Sequence, residues 1–312
     1  MNSLKPMLLS SLKSYDKSQF FKDVTAGIIV AIIALPLSIA LALASGVGPE
    51  AGIFTAIVAG FVISALGGSS VQIAGPTAAF ATIVAGIVAH DGMDGLIVAT
   101  ILAGIFLILM GLCHFGSLIK FIPFTITTGF TSGIAVTIVI GQLKDFFGLT
   151  YPTGVKPIET VEKFEAVIHH FSTMNMDAVI VGVVSLVILI IAPYIFKRIP
   201  GSLLAVIAGI LMVQFLPLKV NTIGNLYTIS NSLPSFHLPA VSFEVVQNAL
   251  PNAFTIAVLA AIESLLSCVV ADGMINGKHR SDMELVAQGA GNIASALFGG
   301  IPATGAIART AA

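Results

Sequence analysis

The chain alternates long apolar runs with short polar or glycine-marked breaks. A helix that crosses a bilayer needs about 20 predominantly apolar residues. On that ruler the runs predict spans at 24–45, 51–66, 77–89, 95–114, 118–147, 177–196, 201–218, 250–272 and 283–298, with a tenth beginning near 304. The third run is short and follows Ser70-Val71-Gln72-Ile73-Ala74, a stretch expected to be extended chain. Non-helical backbone at membrane depth persists only where protein buries it or where it lines a cavity. Gly129 and Gly133 predict a bend or tilt in the run 118–147. Two stretches fall outside the membrane pattern. Pro152–Thr173 is polar, with Val161–Phe171 spaced as an amphipathic surface helix. Lys219–Phe243 is rich in Asn, Ser, Pro and Thr and reads as an exposed loop.

One short pattern is written twice. Ala65-Leu66-Gly67-Gly68 is followed by Gly75-Pro76-Thr77-Ala78-Ala79, and Ala296-Leu297-Phe298-Gly299-Gly300 by Ala308-Arg309-Thr310-Ala311-Ala312. Each copy ends a hydrophobic segment on a Gly-Gly break and then starts a new helix. Matching interruptions in two halves point to the binding site of a secondary transporter. Spans 1, 2 and 3 then correspond to spans 8, 9 and 10, so the full repeat has seven spans and the full protein fourteen. The expected architecture is an all-α polytopic membrane protein. It holds the first ten spans of a seven-plus-seven inverted repeat, with extended stretches before half-helices 3 and 10. On this reading spans 11–14 lie beyond residue 312.

Composition sharpens the class. The chain is 56% hydrophobic and 9% charged, with mean hydropathy +1.03. Soluble domains carry about 25% charged residues, so a water-soluble enzyme is excluded. The formal net charge of −1 offers no basic surface to nucleic acid. Cys113 and Cys268 both lie in apolar runs, and the six histidines have no metal-ligand spacing, so neither a disulfide framework, a metal site nor a cofactor is expected. Residues 1–22 read as a segment preceding the membrane domain, 23–312. Lys and Arg placement sets orientation. With the N-terminus in the cytoplasm, Lys5, Lys13, Lys17, Lys22, Lys120, Lys197, Arg198, Lys278 and Arg280 lie inside, and Lys144, Lys156, Lys163 and Lys219 outside. That asymmetry favours a cytoplasmic N-terminus and makes spans 1 and 8 antiparallel.

Two helix starts facing each other at mid-membrane would make an anion site, because each leaves unpaired N–H groups and about half a positive charge. The first is Pro76-Thr77-Ala78-Ala79, the second Ala306-Ile307-Ala308-Arg309. Small side chains let an anion approach the amides; the plainer reading is two packing breaks at helix contacts. Arg309 costs at least about 2.5–3.5 kcal/mol to insert centrally, so it needs a bound anion, a water cavity or an acidic partner. Glu263 is the other intramembrane charge, with Ser264 beside it and Ser267 one turn on. It can carry a proton, help hold Na⁺, or form a static pair with Arg309. Pro36 interrupts span 1 in Leu35-Pro36-Leu37-Ser38, as a kink that either faces a cavity or is purely structural.

These residues carry a family resemblance. Asp23-Val24-Thr25-Ala26-Gly27 leading to Ala34-Leu35-Pro36-Leu37-Ser38-Ile39-Ala40, the stretch Gly46-Val47-Gly48-Pro49-Glu50-Ala51-Gly52, Gly75-Pro76-Thr77-Ala78-Ala79, Gly129-Phe130-Thr131-Ser132-Gly133, and above all Glu263 through Arg309 resemble the sulfate permease (SulP, solute carrier 26) family. The resemblance implies a core domain (23–115 and 250–312) and a gate domain (116–218) working by an elevator motion, a C-terminal STAS domain and a homodimer. It implies anion binding at Pro36, Leu37, Thr77, Ala78, Ala79, Phe80, Ala308 and Arg309, and ion or proton coupling at Glu263, Ser267 and Gly305. The expected function is secondary, H⁺-coupled transport of sulfate, a related inorganic anion or a C4-dicarboxylate across the bacterial inner membrane. Na⁺-coupled bicarbonate transport and an anion channel or exchanger on the same scaffold are the alternatives. Leu37 and Leu41 stand where many members carry Gln and some an aromatic residue, which makes the cavity more apolar.

Overall fold

Apolar runs this long satisfy their backbone in a membrane by becoming helices, and in the computed structural model they do. It describes residues 4–117, 124–155, 157–196, 200–229, 232–239 and 242–310. Contacts group the chain into two units, Met1–Phe130 with Ile229–Ala312, and Thr131–Thr228.

In the first unit, α1 (Lys17–Ala44) begins where the Asp16 carboxylate accepts the Gln19 N–H, and it continues through Pro36. Next comes α2 (Pro49–Leu66), with proline in the first turn, where its missing N–H costs nothing. A two-residue strand β1 (Ala74–Gly75) and a 3₁₀ turn (Ala78–Phe80) lead into α3 (Ala81–Leu112). The spans expected separately at 77–89 and 95–114 thus form one helical run, interrupted only at Gly92 (φ 69°, ψ −170°). The polar link His90–Asp94 is too short to leave the helix, and one glycine in a region closed to other residues makes the turn. α4 (Phe124–Phe146) starts in this unit, continues into the second from Thr131, and is helical through Gly129 and Gly133; residues 118–123 of that predicted span lie outside the described residues.

The second unit contains the greater part of α4, from Thr131, with α5 (Thr160–His169), α6 (Met176–Ile195) and α7 (Gly201–Phe215). α5 starts with a reciprocal cap between Glu159 and Glu162 and buries Ala166 and Val167, as its amphipathic spacing predicts. α6 and α7 pack together. Asn175 Nδ2 donates to the Lys219 carbonyl (2.6 Å) and the Lys219 N–H to Asp177 Oδ2 (2.9 Å), tying the stretch after α7 to the start of α6.

The chain returns to the first unit with α8 (Phe243–Ile275), capped by Ser242 and ended by Asn276 in the left-handed region. It starts seven residues earlier than the span predicted at 250. α9 (Ser281–Leu297), β2 (Thr304–Gly305) and a final turn α10 (Ile307–Thr310) follow. α9 packs on α3 and α2, and α8 on α3. Their contact faces are rich in fully buried small residues, among them Ala59, Ala99, Ala103, Ala253, Ala257, Ala287 and Ala296. Small residues let helices approach closely where lipid removes the hydrophobic drive to associate. Among the described residues, α1, α2, the run Ala78–Leu112, α6 and α8 are long and apolar enough to cross a membrane.

Candidate functional site where the two breaks meet

The two breaks are joined by backbone. β1 and β2 pair antiparallel, Ala74 opposite Gly305 and Gly75 opposite Thr304. The Ala306 N–H extends the ladder to the Ile73 carbonyl (2.9 Å), and Thr310 Oγ1 accepts the Ile73 N–H (3.1 Å). Each strand runs straight into a helix start. On one side Thr77 is extended (φ −131°, ψ 158°) ahead of the turn 78–80. On the other, the Ala306 carbonyl accepts from Arg309 N and Thr310 N at the opening of α10. Local sequence explains the strands: glycine and small residues after each helix leave the backbone free to extend, and the partner break satisfies its polar groups in an otherwise apolar interior.

Arg309 lies at the centre, 2% exposed. Its Nη2 donates to Ser38 Oγ on α1 (3.1 Å) and to the Pro76 carbonyl (3.2 Å). The guanidinium thus links α1, the second break and the start of the helical run at Ala78. It lies over Gly75, where a Cβ would collide with Nη1. Its Nε has no partner, and no carboxylate stands within ion-pair distance of it among the described residues.

Glu263, half-buried on α8, is not paired with Arg309. Its Oε2 accepts from Thr77 Oγ1 (3.0 Å), so it sits against the first helix start. Its neighbour Ser264 holds the second break. Ser264 Oγ lies 2.6 Å from Thr304 Oγ1 and accepts the Gly305 N–H (3.1 Å), while Thr304 Oγ1 donates to the Ala260 carbonyl (3.2 Å). Ser267, the hydroxyl expected to serve Glu263, is buried with no partner for its Oγ. The one-turn spacing puts it on the same face of α8, but β2 passes the preceding turn. Gln72, just before β1, accepts from Cys268 Sγ and occupies the space a side chain on Gly305 would need; its Nε2 is unpartnered.

The sequence-predicted residues therefore divide. Thr77, Glu263, Gly305 and Arg309 converge, with Ala78 and Ala79 in the first turn beyond Thr77 and Ala308 in α10. Phe80 is 1% exposed and belongs to the hydrophobic core with Val84 and Ala42. Pro36 and Leu37 are half-buried on α1, but the α1 residue that reaches the guanidinium is Ser38. Ser38, Gln72 and Thr304 escape sequence reasoning, and Ser264 was noted only as a neighbour of Glu263, because single hydroxyls and an amide in apolar runs look like incidental polar positions. Their proximity to Pro36, β1 and Glu263 was the available signal. A separate groove of about 710 Å³ lies in the second unit, between α6 and α7, and contains none of these residues.

Residues 20–312 match the sulfate permease family. The chain belongs to that family. It is 43% identical over 96% of its length to the putative sulfate transporter YvdB of Bacillus subtilis, covering 56% of that protein. It is 31% identical over 92% of its length to the bicarbonate transporter BicA of Picosynechococcus, covering 52%. The chain thus spans about half the length of these relatives. Its fold superposes on the transmembrane domain of a cyanobacterial bicarbonate transporter BicA with a TM-score of 0.80 and 31% identity, over 93% of this chain and 74% of the other. It is a membrane protein of a family named for sulfate transport.

Proposed function

We propose that this chain carries the anion-binding core of a secondary anion transporter, and that the anion binds where the two helix starts meet beside Arg309. One observation carries the reading: a buried guanidinium with no carboxylate partner among the described residues, in contact with the backbone of the first helix start. A buried charge without a counter-charge is strongly destabilising, and a bound anion supplies one. Free first-turn amides at Ala78 and Ala79 add hydrogen-bond donors. Glu263, which accepts one hydroxyl hydrogen bond and has no ion pair among the described residues, is assigned the coupling role. Protonation of this carboxylate couples anion movement to H⁺; Na⁺ coupling is the competing form. Relatives named for sulfate and for bicarbonate bracket the substrate class as a small oxyanion.

In this reading the breaks belong to antiparallel repeats. The core, 23–115 and 250–312, is the moving part and 116–218 the gate, in an inner-membrane protein with a cytoplasmic N-terminus.

The test is uptake of radiolabelled sulfate, bicarbonate and fumarate into proteoliposomes containing the full-length protein. Arg309→Ala is expected to abolish saturable uptake of whichever anion is carried; unchanged uptake of every active anion overturns the binding role. Glu263→Gln is expected to remove acid-driven accumulation while sparing anion exchange. Full acid-driven accumulation in that variant rules out the proton role. A stimulation by Na⁺ that Glu263→Gln removes selects the Na⁺ form.

A further inference from the structure

We infer that α9 is a strut that sets the distance between the two helix starts, and that Glu284 and Asn292 are positioning residues for anion binding. The inference rests on the anion site proposed above. α9 carries Glu284, Gln288 and Asn292 one turn apart, with exposures of 1%, 0% and 0%. Three polar side chains in a row inside a membrane protein require partners; Glu284 and Asn292 find theirs at the breaks, and Gln288 donates to Glu284. Glu284 Oε2 accepts the N–H of Gly68, in the first Gly-Gly break (2.9 Å), while the Arg280 N–H donates to the Gly68 carbonyl (2.9 Å). Glu284 Oε1 accepts from Gln288 Nε2 (2.9 Å). Asn292 Nδ2 donates to the Gln288 carbonyl (2.8 Å), and the Asn292 amide brackets Ala303, donating to its carbonyl (2.8 Å) and accepting its N–H (2.8 Å).

Ala303 immediately precedes β2, and Gly68 precedes β1 by six residues. One rigid helix therefore grips both breaks at points about 12 Å apart along its axis, at 1.5 Å per residue. None of these three side chains touches Arg309, Thr77 or Glu263; their effect on the anion runs through the backbone they hold. The chemistry at 284 is specific. Both partners donate, so the residue must present two acceptors, as a carboxylate does. Gln288 Oε1 has no partner, which leaves this amide free to turn over. A glutamine at 284 can then accept from Gly68 with its oxygen and donate to the turned Gln288.

The test measures KM and maximal rate for sulfate and bicarbonate uptake by the full-length protein, normalised to folded protein. Glu284→Ala and Asn292→Ala are expected to raise KM about fivefold or more, the worth of one hydrogen bond, with the maximal rate within about twofold. Glu284→Gln retains the wild-type KM. The same change in a Gln288→Leu background, which removes the turning amide, raises KM as Glu284→Ala does. A purely structural role lowers the amount of folded protein and leaves KM alone, and that result overturns the inference. So does a Glu284→Gln/Gln288→Leu variant indistinguishable from Glu284→Gln; this pair decides if the alanine variants do not fold. Hydrogen exchange gives a readout independent of transport. Asn292→Ala should speed exchange about tenfold at 67–75 as well as at 301–305, and acceleration confined to 301–305 refutes a shared strut. If Arg309→Ala leaves uptake intact, the anion site itself is wrong, while hydrogen exchange still decides whether α9 couples the breaks.

Discussion

At the residue scale, the site turns on what is missing as much as on what is present. Arg309 reaches Ser38 and Pro76 only because position 75 has no side chain. Gly75→Ala is therefore expected to displace the guanidinium while leaving its charge in place. Loss of a hydrogen bond to a charged group is worth about 1.5–3 kcal/mol, so anion affinity should fall by about tenfold to a hundredfold. Isothermal titration with sulfate or bicarbonate, beside a melting curve of the same preparation, checks it; wild-type affinity in a folded variant contradicts the placement of Arg309. The arginine and Glu263 were legible in the sequence because charges are rare in apolar runs. Their relationship was not. Two lone opposite charges suggest a pair, whereas both bond to the first helix start instead, Glu263 to the Thr77 hydroxyl and Arg309 to the Pro76 carbonyl and Ser38. Spacing along α8 pointed to Ser267, yet β2 crosses at Ser264. Which turn of a helix a distant strand crosses is a tertiary fact that no local pattern encodes.

At the element scale, apolar length located the helices well, since a membrane span has little freedom in length. Boundaries were poorer where a break consists of a single residue. Gly92 separates two helical segments without any loop, in a backbone conformation that other residues reach at a cost of about 1–3 kcal/mol. Gly92→Ala should lower thermal stability by an amount in that range. Gly86→Ala, a few residues earlier in regular helix with open space around it, should be neutral or stabilising. Thermal unfolding of the two variants in detergent makes the comparison, and equal effects remove the distinction. α9 illustrates the opposite difficulty. Its Asp282, Glu284, Gln288 and Asn292 make it the least apolar of the helices in this unit's interior, yet it is among the most buried. Its glycines pack closely against neighbouring helices, and Glu284 and Asn292 serve backbone groups that the breaks leave open.

At the scale of the whole molecule, contacts concentrate within each unit. In the unit Thr131–Thr228, Gly148 has φ +60° and stands against Asn175 and Ala178 at the start of α6. Gly148→Ala should accelerate hydrogen exchange over 144–180 and leave the β1–β2 region at its wild-type rate. Equal acceleration at 73–76 and 303–306 contradicts local packing of that unit. The polar loop after α7 lies near one edge of this unit, whereas the other edge falls inside the apolar helix α4; which helices gather around the breaks was not legible either, because those contacts join residues far apart in the chain. The pairing of β1 with β2 joins Gly75 to Thr304 and Ala74 to Gly305, 229 and 231 positions apart. At a synthesis rate of about 5–20 residues per second, the first strand waits on the order of 10–45 s on the ribosome before its partner exists. Throughout that interval the polar groups of residues 68–77 have neither β2 nor α9 to bond. Unpaired backbone is expensive in lipid, so the nascent first break must stay in contact with water or with the insertion machinery until the tenth span arrives. Assembly of this centre is a closing event, in which the earlier-made half is completed only when the second break has been translated.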